Sequence, residues 1–316
     1  MKFAVMGTGD FGGRYGGRLV HAGLDVTFIA RGQRYDEITR HGLHTQADSQ
    51  GRRIDIDHVQ VTDVPSKVGP VDVVIFAVKN YHVEEAAAQI TPLLGDTTVV
   101  LPVQNGVTAA ARLATIVGRK YVLGYVTSQP HHAIGELDGP VSPRVHAVCA
   151  VLKGAGIRIE AVDDIRVPLW DKLVTYAGGS PMFATRVDLG QAMASPEIRR
   201  LVWEATEEAV AVARAEGANL APGAGDRFLT YLDGSSQKNP RWRPSLLQDL
   251  DAGRRLELDD LVGVVVHKGT YHGIPTPVVR VCYMLLKPYE LGAARPRGQV
   301  SGEEATSAEG QSQSRA

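Results

Sequence analysis

The chain has 316 residues, with 34 lysines and arginines against 35 aspartates and glutamates, a formal charge of −1, 44% hydrophobic residues and two cysteines. That length suggests two domains with an ample core, and the balanced charge leaves no general attraction to nucleic acid or to an anionic membrane surface. The longest apolar runs, 73–78 and 261–266, fall far short of the ~20 residues that span a bilayer, and neither cysteine sits in a metal-ligand spacing.

The opening run Lys2-Phe3-Ala4-Val5-Met6 meets glycine at once, which predicts a first strand and no secretory signal. A cytoplasmic protein with Cys149 and Cys282 as buried free thiols is the expectation. Strands are predicted over 3–6, 26–30, 71–78 and 97–102, with helices near 12–21, 34–41, 83–94 and 107–117 between them. Such alternation implies parallel strands with crossover helices on both faces. From 122 to 162 the signals shorten and become strand-like. Beyond 168 the pattern turns helical. Ser195-Pro196-Glu197 supplies a cap, a first-turn proline and a first-turn acid, and Gly217 ends that helix. A loop is predicted over 221–244, broken by a short helical piece at 226–232, and further helices over 245–250, 256–267 and 277–286. The fold class is therefore α/β: an N-terminal Rossmann-type parallel sheet domain over 1–168 and an all-helical C-terminal domain over 169–292. The tail 293–316, with Val300 its one large apolar residue, is predicted to be disordered.

Gly7-Thr8-Gly9-Asp10-Phe11-Gly12 matches G-x-G-x-x-G between a strand and a helix. The first glycine permits the tight turn, the second lets backbone N–H groups approach a pyrophosphate, and the third permits close helix packing. An acidic residue at the end of the second strand would select NAD. Here the strand runs into Arg31, with Arg34 one turn on, and a guanidinium there suits a 2′-phosphate, so NADP(H) is the expected cofactor. A flavin, another nucleotide or a merely structural turn are the alternatives. Two more predicted strands end in Lys79-Asn80-Tyr81 and Gln104-Asn105-Gly106, at the sheet edge where open α/β folds bind ligands.

With these motifs in order, and with Trp170-Asp171-Lys172-Leu173, Ser245-Leu246-Leu247-Gln248-Asp249 and Leu256-Glu257-Leu258-Asp259 following them, the chain resembles the ketopantoate reductase family. The resemblance implies NADPH-dependent reduction of a 2-oxo acid to a 2-hydroxy acid, ketopantoate to pantoate by default, in a cleft between the domains of a monomer or homodimer. It makes Gly7, Thr8, Gly9, Asp10, Phe11, Gly12, Arg31, Lys79 and Asn105 cofactor-binding. Lys172 becomes the catalytic lysine and proton donor. Glu257 becomes the glutamate that positions the cofactor and the lysine, and Asn105, Lys172, Tyr176, Ser180 and Ser245 line the substrate. Helical spacing puts Lys172, Tyr176 and Ser180 on one face and Trp170, Leu173, Val174 and Ala177 on another, buried, face. Tyr176, Ser180 and Gly190 stand where the family usually carries substrate-binding asparagines. The same chemistry on a bulkier or less polar oxo acid is therefore a second reading, and a non-catalytic NADP(H)-binding protein a third. His131-His132 is expected in a surface loop, and no metal site is expected.

Overall fold

The computed structural model describes residues 1–46, 53–127 and 131–292; the predicted tail lies outside them. The first half runs β1 (Lys2–Met6), α1 (Asp10–His21), β2 (Asp25–Ile29), α2 (Gly32–His41), β3 (Leu43–His44), β4 (Asp55–Ile56), β5 (Gln60–Thr62), β6 (Val71–Phe76), α3 (Val83–Gln89), β7 (Leu94–Pro102) and α4 (Ala109–Val117). Five strands form a wholly parallel sheet in the order β5-β2-β1-β6-β7, and β3 and β4 pair beside it. The chain leaves β1 toward β2 and later returns to its other side as β6, so a crevice opens at the carboxyl end of β1. Val73, Val74, Ile75 and Phe76 are all essentially inaccessible, as a central strand covered on both faces requires. Phe3, Val5, Phe28, Val73 and Ile75 feed the core on one face, and Ala4, Met6, Ile29, Val74 and Phe76 the core on the other.

Next come β8 (Gly124–Val126), β9 (His132–Gly135), α5 (Pro143–Gly154) and β10 (Ile159–Ala161), with the strands in the order β10-β9-β8. The second half is helical: α6 (Arg166–Gly178), α7 (Ser180–Thr185), α8 (Leu189–Ala194), α9 (Pro196–Ala215), α10 (Ala224–Lys238), α11 (Ser245–Asp251), a π-helical turn (Asp259–Gly263), α12 (Val264–His272) and α13 (Pro277–Leu286). These helices share one core around Trp170, Leu173, Val202, Ala209, Leu247 and Val265. Ser195 caps α9 by accepting from Ile198 N–H, with Pro196 at its first position. No helix among the described residues is long and apolar enough to cross a membrane.

Several expected elements differ in detail. The helix expected to reach 94 ends at Gln89, a 3₁₀ turn over Thr91–Leu93 with Pro92 inside it comes next, and β7 follows at Leu94. Within the strand-like segment lies the twelve-residue helix α5, capped by Ser142 and opened by Pro143; its valines carry a strand signal that packing of Val145, Val148 and Leu152 overrides. The piece at 226–232 grows into α10, fifteen residues long despite its glycines and serines, because Ala224 and Leu232 are buried in the helical core. Helix α6 runs through Pro168, which occupies its first turn, where the missing N–H costs nothing.

One tight approach holds the first loop against its helix. A Cβ on Gly12 would lie 2.0 Å from the carbonyl oxygen of Gly7. Replacement of Gly12 by alanine is therefore expected to destabilise the protein by about 2 kcal/mol through backbone displacement, read as a lower urea midpoint. An unchanged midpoint would show that the loop can open without cost.

Candidate active site

The carboxyl ends of β1, β2 and β6 open onto the first of two adjoining cavities, with Asp10 lining this one and its neighbour Phe11 the other. The first, of about 790 Å³, is floored by Gly7, Thr8, Gly9 and Asp10 and ringed by Arg14, Arg31, Arg34 and Arg254. Gly7 has φ +97, and a Cβ there would press 3.0 Å from the backbone of Ala77 and Val78, so only glycine makes this turn. A Cβ on Gly9 would meet nothing within 4 Å, which leaves the amino end of α1 open toward the cavity. Arg14 is tied to Asp10 at 2.5 Å, yet its Nη1 is buried without a partner among the described residues. Arg34 donates to the carbonyl oxygens of Thr8 (3.1 Å) and His44 (3.4 Å), bracing the loop around the cavity. Arg31 pairs with Glu85 across the cavity mouth. The cradle, the helix end and the unsatisfied guanidinium fit a dinucleotide carrying several negative charges.

The second cavity, of about 720 Å³, lies between the sheet domain and helices α6, α7 and α10. Lys172 lines it, donating to Asn105 Oδ1 at 2.6 Å and to the Thr127 hydroxyl. Burial alone lowers its pKa to about 8. The ammonium thus sits at the end of β7, poised to lose its proton near neutral pH. Tyr176, one turn along α6, lines the same cavity, and its hydroxyl is hydrogen-bonded with the Ser245 side chain. His132 lines it too: burial first, then the charges of Lys172, Arg18 and His131, push its pKa down to about 4. The loop expectation for His132 is corrected, since it opens β9 and is half-buried.

A network of ion pairs joins the two halves beside these cavities. Glu257 accepts from Lys79 Nζ (3.0 Å), Asn80 N–H (2.9 Å) and Asn80 Nδ2 (3.1 Å), and Asp249 takes Lys79 Nζ at 3.3 Å. Although burial opposes its charge, Glu257 and Asp249 together hold the Lys79 ammonium above the ordinary lysine range. Asn80 Nδ2 also donates to the carbonyl of Asn105 (2.8 Å), and Asp260 accepts from Thr108 and Arg112 across the same seam. Glu257 therefore acts on Lys79 and Asn80; the expected positioning of Lys172 falls instead to Asn105 and Thr127.

Ser180 is corrected as a cleft residue. Helix α6 stops at Gly178, and α7 starts afresh at Ser180, whose side chain is fully buried and faces the Cys282 thiol of α13. Gly190 does not reach the cleft either: its N–H donates to Pro240 O at 2.7 Å, and a Cβ there would lie 2.9 Å from the Pro240 ring. The residues absent from the expected site are Asn80, Thr127, His132, Asp249 and Arg254. Asn80 stood in a motif already noted. Asp249 stood in the Ser245–Asp249 motif and His132 in the pair expected in a loop; Thr127 and Arg254 carry no local signal, because long-range packing alone brings them to the crevice.

A family model described as "Ketopantoate reductase PanE/ApbA" matches residues 3–142, and one described as "Ketopantoate reductase PanE/ApbA C terminal" matches residues 164–290. The chain is 30% identical to the 2-dehydropantoate 2-reductase of Archaeoglobus fulgidus over 92% of its own length and 98% of that protein. It is 28% identical to the 2-dehydropantoate 2-reductase of Nostoc sp. over 90% and 94%. Among solved structures, a PanE/ApbA family ketopantoate reductase from Ralstonia eutropha superposes with a TM-score of 0.80 at 30% identity, covering 92% of this chain and 98% of that one. Matched in order through both the sheet domain and the helical domain, the chain belongs to the ketopantoate reductase family of oxidoreductases.

Proposed function

We propose that the protein reduces a 2-oxo acid to the 2-hydroxy acid with NADPH, in the cleft where Lys172 meets Asn105. The observation that carries this reading is a buried ammonium with a pKa of about 8, held by Asn105 and Thr127 beside the cradle of Gly7, Gly9 and Gly12. When bound, the reduced nicotinamide supplies the hydride that forms the new C–H bond at C2 while the carbonyl π pair moves onto oxygen. Lys172 stabilises that developing alkoxide and gives it a proton, which completes the hydroxyl. Asn105 accepts one ammonium hydrogen, so the donor is fixed in direction before substrate arrives. Arg31, Arg34, Arg14 and Arg254 supply the positive field that favours the phosphorylated dinucleotide. Lys79, Asn80 and Glu257 set the spacing of the two halves around the site.

The test is NADPH consumption by the purified protein with a set of 2-oxo acids that includes ketopantoate, the substrate the relatives' names carry. Turnover with at least one 2-oxo acid, at a rate that exceeds the NADH rate, is the expected result. NADPH binding without reduction of any of them would favour a non-catalytic binding protein.

A further inference from the structure

The far end of the substrate cleft differs in character from its Lys172 end. Phe228, Tyr231 and Leu232 lie at i, i+3 and i+4 on α10 and present one face to the cavity. The Phe228 and Tyr231 rings are nearly parallel, 11° apart with centroids at 6.5 Å. Met182 and Phe183 of α7, each 1% exposed, and Trp242 ahead of α11 complete the wall. Two polar side chains on this side are already engaged, Tyr176 with Ser245 and the Arg227 guanidinium with the carbonyl oxygens of Ala221 and Pro222, while Tyr231 and Trp242 stand at its more exposed rim. No asparagine or glutamine among the described residues lines this far end of the cleft. A substrate side chain that carries a hydroxyl would bury it there without an amide partner, which is costly. A flat apolar ring would instead meet aromatic faces and edges on several sides.

Resting on the 2-oxo acid reductase reading above, we propose that the preferred substrate carries an aryl side chain, with its ring seated against Phe183, Phe228, Tyr231 and Trp242 and its 2-oxo group toward Lys172. The cavity of about 720 Å³ exceeds what a short aliphatic 2-oxo acid fills. Burying a phenyl ring in place of a small hydroxylated side chain gives an expected preference of about 10- to 100-fold in kcat/KM.

The experiment compares kcat/KM of the full chain, with NADPH, for phenylglyoxylate, phenylpyruvate, ketopantoate and 2-oxobutanoate. One of the two aryl acids is expected to exceed both aliphatic acids by about tenfold or more. Preference for ketopantoate would overturn the aryl assignment and leave the reductase reading standing. Failure of all four would overturn both. As a check on the wall itself, Phe228→Ala is expected to cut kcat/KM for the preferred aryl acid by about tenfold more than for 2-oxobutanoate, and Phe228→Leu to do so less. An equal loss on both substrates in both variants would show that Phe228 supports the helix and not a ring.

Discussion

Lys172→Ala is expected to lower kcat for 2-oxo acid reduction by about 10³-fold, the combined scale of a lost general acid and a lost oxyanion donor. NADPH affinity should stay within a few-fold of the parent. The expectation rests on position: Lys172 Nζ lies 2.6 Å from Asn105 Oδ1 in the substrate cavity, whereas the arginine-lined cavity does not include it. The same residue sets the pH dependence. Its pKa is lowered by burial to about 8, so the ammonium needed to protonate the alkoxide is present at neutral pH and lost as pH rises through 8. The rate kcat/KM should therefore fall tenfold per pH unit on the alkaline side. Lys172→Arg keeps the charge but does not titrate in this range, so its residual activity should show no such fall. A Lys172→Ala variant with near-parental turnover, or an arginine variant with the same alkaline limb, would remove Lys172 from the proton-donor role.

The contrast between Lys172 and Lys79 explains why one is poised to give up a proton and the other is not. Lys172 is surrounded by neutral oxygens, so burial acts unopposed on its charge. Lys79 is also drawn from water, but two carboxylates, Glu257 and Asp249, reverse the effect. A lysine held fully charged between carboxylates from the other half of the chain is suited to fastening the domains, not to proton transfer. The π-helical turn at Asp259–Gly263 begins two residues after Glu257, and Asp259 and Asp260 on it turn to opposite partners: Asp259 to Lys287 and Tyr283, Asp260 to Arg112 and Thr108.

What could be read from residues alone divides along a physical line. The sheet strands were legible because buried parallel strands must be continuously apolar, as 73–76 are, and the glycine loop because Gly7 and Gly12 answer local steric demands while Gly9 leaves the helix end open. The shared face of Lys172 and Tyr176 was legible because helical spacing acts within a few residues, whereas the role of Lys172 came from the family resemblance. Ser180 was misplaced for the same reason: extrapolating the face of α6 by eight residues assumed a helix that stops after Gly178. His132 and Thr127 reach the cleft from the small sheet of β8 and β9, and Asp249 and Arg254 from the helical half; their placement depends on packing between distant segments. Helix α10 was legible only in its 226–232 core, because the glycines and serines beyond it read as loop, and residues of that core, Arg227, Phe228, Tyr231 and Leu232, line the second cavity.

Removing both Arg31 and Arg34 as alanines is expected to collapse the preference for NADPH over NADH by about 100-fold, with most of the change in the affinity for NADPH. Each guanidinium that meets a phosphate contributes charge-assisted hydrogen bonds of about 1.5–3 kcal/mol, and NADH offers no 2′-phosphate to lose. The two arginines are not equivalent. Arg31 is half-exposed, with Glu85 as its carboxylate partner, so phosphate must displace or share that partner. Arg34 is fixed by two backbone carbonyls, one of them in the glycine loop. Arg31→Ala alone should therefore weaken NADPH selectively, while Arg34→Ala should also loosen the loop and weaken NADH by a smaller factor. Glu85→Gln is the complementary change: freeing Arg31 from its carboxylate should tighten NADPH a few-fold and leave NADH unmoved. Dissociation constants for both nucleotides, measured by quenching of intrinsic fluorescence across the four variants, decide the matter. Equal losses for NADPH and NADH in every arginine variant would mean that these residues only brace the loop, and that discrimination between the nucleotides lies with Arg14 or Arg254.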